Sequence, residues 1–288
     1  MENQYYEHPG KIKVFTVLKR AASALTGKFM LIAGLTLIGF LPVALNMLTP
    51  YFKFLLLIPS IILGFLMQGS VAMVMVNDYQ EEETKILECL KNGLARVVVV
   101  VKIIFLTWLI IIIPAILIGV GAAMAAARSG TGYMLPTVLI LGGLLFMVWF
   151  FLAYGQAYLL CVAAQLGALE SFSVSKVLTK GHKAGIFLTF LAMTIISTVV
   201  YTAGAGLLAI VFVAPGTDLQ YIVSVISSNS NFNAIIKNSG SIPIFLFLLS
   251  LVQCLVRIVS TTIIGALYVE LLICQQDKDL ADKSEVFA

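Results

Sequence analysis

Six long apolar runs alternate with short polar segments along the chain. The runs cover residues 29–48, 54–76, 98–120, 135–163, 186–212 and 242–274. A helix needs about 20 apolar residues to cross the hydrocarbon core of a bilayer, and each run reaches that length. The pattern predicts an all-α polytopic transmembrane helix bundle with six crossings, formed as a single membrane domain over residues 1–288 with a mobile tail at 275–288.

Three basic segments precede the first, third and fifth runs, at residues 11–28, 84–97 and 171–185. In the first, Val14, Leu18, Ala21 and Leu25 fall at helical spacing, which predicts an amphipathic helix. We expect all three segments to lie in the interface, with the apolar face in the acyl boundary and the cations at anionic headgroups. The predicted headgroup contacts are Lys19, Arg20, Lys91, Arg96, Lys176, Lys180 and Lys183.

The three basic segments can be aligned. They read V-F-T-V-L-K-R-A at 14–21, I-L-E-C-L-K-N-G at 86–93 and V-S-K-V-L-T-K-G at 174–181. A leucine and a later Ala or Gly recur at matching positions, which predicts one shared helical face. Two interpretations stay open: a threefold internal repeat, or the likeness expected among basic amphipathic helices in an apolar chain.

The distribution of lysine and arginine predicts the orientation. Assigning both termini and the even-numbered links to one side places thirteen Lys and Arg there, against three on the other side. Because short cytoplasmic loops are enriched in these residues, both termini are expected in the cytoplasm. The long loop at 214–241 is then expected outside.

The amino-acid composition is typical of a membrane protein. Hydrophobic residues make up 60% of the chain and charged residues only 11%, as in an integral membrane protein. The net charge of +4 comes from the flanks of the apolar runs, so nucleic acid is not an expected partner, whereas membrane lipids, anionic ones in particular, are. The four cysteines and two histidines are scattered, so neither a metal site nor a cofactor is expected.

Polar side chains inside the apolar runs are the candidate site residues, because such groups are costly in a membrane. Arg257 is the most prominent, either as a site for an anionic group or as a structural anchor bonded to neighbouring helices. Lys102 is expected to extend to the surface, and Glu270 either to couple protons or to pair with a nearby Lys or Arg. The full candidate set is Gln253, Arg257, Gln156, Lys102 and Glu270.

Two segments resemble a known bacterial family. The stretch A-L-E-S-F-S-V-S-K-V-L-T-K-G-H (168–182) and the stretch I-L-E-C-L-K-N-G-L-A-R (86–96) are similar to the recurring element of YciC-like proteins and of the membrane domain of glycerophosphoryl diester phosphodiesterases. The resemblance covers most of the chain and implies a polytopic protein of the bacterial inner membrane. It brings no catalytic residues, since the phosphodiesterase chemistry belongs to a separate barrel that this chain has no room for.

Two functional hypotheses follow. The first is a non-enzymatic membrane component that organises or contacts lipids or partner proteins through its cytoplasmic helices. The alternative is a transporter or channel for a small anionic or lipidic solute, with a polar path near Arg257, Gln253 and Gln156. An intramembrane lipid enzyme is disfavoured because the sequence holds no G-x-S-x-G, H-E-x-x-H or Walker A motif.

Overall fold

The computed structural model describes residues 11–48, 53–127, 134–212 and 242–286. Within these ranges the chain is helical and has no strand, which confirms the all-α prediction. The helices are α1 (Val14–Gly27), α2 (Phe29–Leu48), α3 (Lys53–Tyr79), α4 (Ile86–Ala95), α5 (Val97–Ala127), α6 (Met134–Tyr154), α7 (Ala157–Ala163), α8 (Ala168–Leu178), α9 (Lys183–Phe212) and α10 (Ile242–Val286). The loop 214–241 lies outside the described residues.

The long helices have the length and composition of membrane spans. Five spans qualify in the described part of the chain: α3, α5, α6 continued by α7, α9 and α10. A sixth is added if α1 and α2, which meet at 95°, count as one bent span. Large apolar side chains such as Phe105, Trp108 and Ile113 are more than half exposed. A surface of this kind is suited to lipid and would be a liability in water, so the chain is a multi-pass membrane protein.

The core lies where α2, α3 and α10 meet. Leu35 of α2, Leu66 of α3 and Leu267 of α10 are fully buried there. Glycines let these helices approach closely: a β-carbon at Gly39 would lie 2.9 Å from Met67, and one at Gly265 would lie 2.7 Å from the sulfur of Met75. Small residues at such contacts are the usual means of packing membrane helices.

The short helices α1, α4 and α8 each precede a long helix, as the three basic segments predicted. α4 folds back on α3, where the Ser70 hydroxyl donates to the Cys89 carbonyl at 3.2 Å. α8 departs from its predicted range, because it begins at Ala168 and ends at Leu178. The Glu170 carboxylate accepts a hydrogen bond from the Gly167 N–H at 3.3 Å, which stabilises the earlier start.

The aligned positions do not share one face in all three copies, so that prediction is wrong for the third. Val17 and Cys89 are buried at equivalent positions, whereas Val177 is 58% exposed. Gly181 lies beyond the end of α8 with a φ of +88°. This left-handed conformation suits a glycine after a helix, so the third motif runs out of the helix before its last position.

The main apolar faces of α1 and α4 pack on protein, which corrects the prediction that they enter the acyl boundary; only single large side chains, Phe15 and Leu87, are strongly exposed on the outward faces of these two helices. Val17, Ala21 and Ala24 of α1 belong to the hydrophobic core, as does Cys89 of α4. In α1 the buried face is centred on these residues, and the predicted stripe members Leu18 and Leu25 are only partly buried beside it. The tail predicted as mobile is helical as far as Val286, and its mobility stays a prediction.

Candidate functional site in the helix bundle

A small cleft opens between α2, α3 and α10. Its empty space, including the open mouth, is about 180 Å³, and the centre of a water molecule can occupy about 10 Å³ of it. That is room for a single water. The lining residues are Thr36, Gly39, Gly64, Met67, Gln68, Arg257 and Thr261.

Arg257 is the charged residue of this cleft. A β-carbon added at Gly64 would lie 2.8 Å from its Nη2 atom, so the guanidinium lies against a position that carries no side chain. Its Cζ atom is 5.9 Å from the centre of the Phe40 ring, within the range of a cation–π contact. Among the described residues the structure gives this guanidinium no carboxylate partner, since the two ion pairs there involve other cations.

The depth of Arg257 follows from the ion pairs that mark one end of the bundle. Glu270 pairs with Arg20 at 3.1 Å, and Lys28 pairs with Asp78 at 3.4 Å. At 1.5 Å per residue, Arg257 lies about 20 Å along α10 from Glu270. Arg257 also lies near the middle of the candidate span Ile244–Gln276. For a hydrocarbon core about 30 Å thick, a position near mid-membrane stays a prediction.

The other polar groups of the cleft can all donate hydrogen bonds. The Thr36 hydroxyl is buried and has no hydrogen-bond partner in the described part of the chain. Gln68 and Thr261 add an amide and a second hydroxyl to the walls. A buried hydroxyl without a partner costs free energy, so the cleft suits a water or an anion that accepts these bonds.

The predicted site residues do not come together around Arg257. The Gln253 side chain lies close to the Tyr201 side chain of α9. Gln156 lies at the break between α6 and α7, buried, with its Oε1 atom unpartnered among the described residues. Lys102 is exposed on α5. The expected polar path through Arg257, Gln253 and Gln156 is therefore not formed as one site.

Glu270 is also apart from the cleft, and its expected pairing with a cation is confirmed. The partner is Arg20, which the sequence predicted as a headgroup contact. Arg20 also lies over the Tyr79 ring, with 5.4 Å between its Cζ atom and the ring centre. The Arg20 side chain therefore links α1 to α10 and α3 within the protein and is not solely a headgroup contact.

The remaining predicted headgroup residues fall into two groups. Arg96 donates to the Gln165 Oε1 atom at 3.2 Å, and Lys183 lies over the Trp149 ring at 5.3 Å, so both join elements within the protein. The others have exposed side chains on α1, α4 and α8 or just after α8: Lys19, Lys91, Lys176 and Lys180.

Sequence reasoning missed the small residues that shape the cleft. Thr36, Gly39 and Gly64 carry no charge and sit in ordinary apolar runs, so no local pattern distinguishes them. Their role depends on which helices lie side by side. The sequence signal available was the presence of glycine in α2 and α3, which indicates close packing but not what lies against it.

Metal-ligating side chains and thiols lie outside this cleft in the described part of the chain. No group of three or more metal-ligating side chains occurs among the described residues. Burial raises the pKa of the Cys89 thiol, with the neighbouring Glu88 charge as a second cause, so this thiol stays protonated near neutral pH and is a poor nucleophile.

Comparison with known proteins found no similar protein. A scan against protein-family models found no match, and searches against curated proteins and solved structures found none either. The likeness to YciC-like proteins therefore stays a prediction from the sequence motifs.

Proposed function

We propose that this protein is a non-enzymatic component of the bacterial inner membrane that binds anionic lipid at the cytoplasmic face. The observation that carries this proposal is the outward face of its three short helices. Each has a large apolar side chain that is at least 75% exposed: Phe15 on α1, Leu87 on α4 and Leu169 on α8. An exposed lysine lies four or seven residues further along, at Lys19, Lys91 and Lys176.

This spacing places the lysine and the apolar side chain on the same side of the helix. The apolar group can enter the boundary of the acyl chains while the lysine stays among headgroups. Each cation near an anionic surface contributes about 1 kcal/mol. The excess of lysine and arginine on this side of the chain supports a cytoplasmic orientation, and the YciC-like resemblance supports a bacterial inner membrane.

The test compares lipid retention. The protein is reconstituted in nanodiscs of mixed phosphatidylglycerol and phosphatidylcholine, extracted gently, and analysed for bound lipid by native mass spectrometry. The triple variant Lys19→Gln, Lys91→Gln, Lys176→Gln is expected to lose most of the enrichment in phosphatidylglycerol.

The matched control preserves the charge. Lys19→Arg, Lys91→Arg, Lys176→Arg is expected to keep the enrichment, and high salt is expected to reduce it by screening. Equal phosphatidylglycerol retention by the wild type and the Lys→Gln variant would reject the proposal. If the Lys→Gln variant instead lost a protein that co-purifies with the wild type, these faces would bind a protein partner.

A second candidate function is transport of a small anionic solute. It is favoured by the Arg257 guanidinium, which faces a cleft with no carboxylate among its described lining. The cleft has room for only one water, so a continuous path requires α2, α3 and α10 to separate. Anion flux into proteoliposomes that is abolished by Arg257→Gln would support transport, and the absence of flux in the wild type would end this candidate.

A further inference from the structure

We propose that the cleft at Arg257 is a binding site for one small inorganic anion of about the size of chloride. The site stands whether or not the outward lysines bind lipid. It deepens the second candidate function by naming a ligand class, but it requires no transport: an anion held permanently here would stabilise the bundle.

The charge of Arg257 is the first reason. A guanidinium keeps its proton in proteins, so the group cannot become neutral to avoid the cost of lying in the membrane. Two other cations beside these helices are paired with carboxylates, Arg20 with Glu270 and Lys28 with Asp78. In the described part of the chain Arg257 lies against the face of Phe40 and has no carboxylate partner, so a bound anion would supply the counter-charge.

Thr36 is the second reason. Its side chain is 3% exposed, its hydroxyl has no partner in the described residues, and it lines the same cleft as the guanidinium. Threonine in a helix commonly donates to a carbonyl one turn back, as Thr189 does to the Gly185 carbonyl at 2.8 Å. The Thr36 hydroxyl makes no such bond, so an anion in the cleft would give it an acceptor.

The size of the cleft and its distance from the Glu270 end of the bundle limit which anions can bind. The cleft admits one water-sized body, which fits a monatomic halide and is too small for a whole phosphate or carboxylate. A lipid phosphate would also have to leave the headgroup layer and travel about 20 Å from the Glu270 end of the bundle. Gly64 makes room for the guanidinium itself, because a β-carbon at this position would lie 2.8 Å from the Arg257 Nη2 atom.

The test is equilibrium binding of radioactive chloride to the protein in phosphatidylcholine nanodiscs at constant ionic strength, with gluconate as the balancing anion. Saturable binding of one chloride per protein is expected. Bromide should compete, whereas inorganic phosphate should not. Replacing part of the phosphatidylcholine with phosphatidylglycerol should leave chloride binding unchanged, which separates a free anion from a lipid headgroup.

Two variants locate the site, and a third checks it without removing the charge. Arg257→Gln should abolish binding, and Thr36→Val should weaken it about tenfold through the lost hydrogen bond to a charged partner. Gly64→Ala should also weaken binding by moving the guanidinium, and it keeps the test valid if Arg257→Gln does not fold. The control is Thr194→Val, because Thr194 is on α9 and bonds to its own helix at the Phe190 carbonyl.

Absence of chloride binding by the wild type would overturn the proposal. Equal affinity in Thr36→Val and Thr194→Val, or displacement by phosphate as effective as that by bromide, would also overturn it. Chloride binding without flux would leave the site standing and remove only the transport candidate.

Discussion

Two charged residues of α10, Glu270 and Arg257, differ in how their charges are compensated. Glu270 is paired with Arg20 at the end of the bundle, whereas Arg257, about 20 Å further along the helix, faces a small cleft. The sequence marks both as charges in an apolar run. Which of them is compensated depends on α1, which lies some 250 positions away in the chain.

The Arg20–Glu270 pair is expected to stabilise the contact between α1 and α10. Both side chains are mostly shielded, at 24% and 13% exposure, so the coupling should be at the upper end for such pairs, about 1 kcal/mol. A double-mutant cycle with Arg20→Gln and Glu270→Gln, read by thermal unfolding in detergent, measures it.

The Lys28–Asp78 pair supplies the matched comparison. Its side chains are 33% and 44% exposed at 3.4 Å, so Lys28→Gln with Asp78→Asn should give a smaller coupling. Additive effects of Arg20→Gln and Glu270→Gln would show that the closer pair does not hold α1 in place.

At the scale of elements, α8 shows how a helix can bury polar residues. Its inward face consists of Ser171, Ser175 and Leu178, followed by Thr179. Ser175 and Thr179 donate to the Ala153 carbonyl at 3.1 and 3.0 Å, near the break between α6 and α7. No apolar stripe in the sequence marks this face. Its Ser175 and Thr179 hydroxyls are satisfied by these hydrogen bonds, whereas the buried Ser171 hydroxyl has no partner among the described residues.

Removing both hydroxyls should loosen α8 from α6. The double variant Ser175→Ala, Thr179→Val is expected to lower the free energy of unfolding by about 1–2 kcal/mol, since interhelical hydrogen bonds in membranes average below 1 kcal/mol each. Thermal unfolding in detergent is the measurement. Ser173→Ala, on the exposed side of α8, should have no effect, and a similar loss in both variants would contradict the role of the Ala153 contact.

The positions of the long helices could be predicted because the length of an apolar run is a local property. The break between α6 and α7 at Gly155 and Gln156 could not be predicted from the sequence, since no proline marks it. Its geometry favours glycine, because a β-carbon at Gly155 would lie 2.5 Å from the Phe151 carbonyl oxygen. The cleft is even harder to predict from the sequence than this break. It joins Thr36, Gly64 and Arg257 from three helices, and only the packing of those helices brings them together.

At the scale of the whole molecule, contacts between distant segments gather at the end of the bundle that carries the short helices. Arg20 with Glu270, Lys28 with Asp78, and Arg96 with Gln165 link α1, α3, α10 and the α7–α8 connection. The middle of α5 and most of α9 present exposed apolar surface instead. The molecule thus has a polar end built from the basic segments and an apolar girdle beyond it.

We propose that this polar end faces the cytoplasm, with the loop at 214–241 on the opposite side of the membrane. Single cysteines test it through labelling with a membrane-impermeant maleimide in intact cells, at Lys91→Cys on α4 and at Asn229→Cys, a position outside the described residues. The native thiols are buried, and the raised pKa of Cys89 keeps it protonated and slow to react at pH 7, so the background should be low.

Asn229→Cys is expected to be labelled in intact cells, and Lys91→Cys only after the membrane is permeabilised. Labelling of Lys91→Cys in intact cells, with Asn229→Cys protected until permeabilisation, would contradict this orientation.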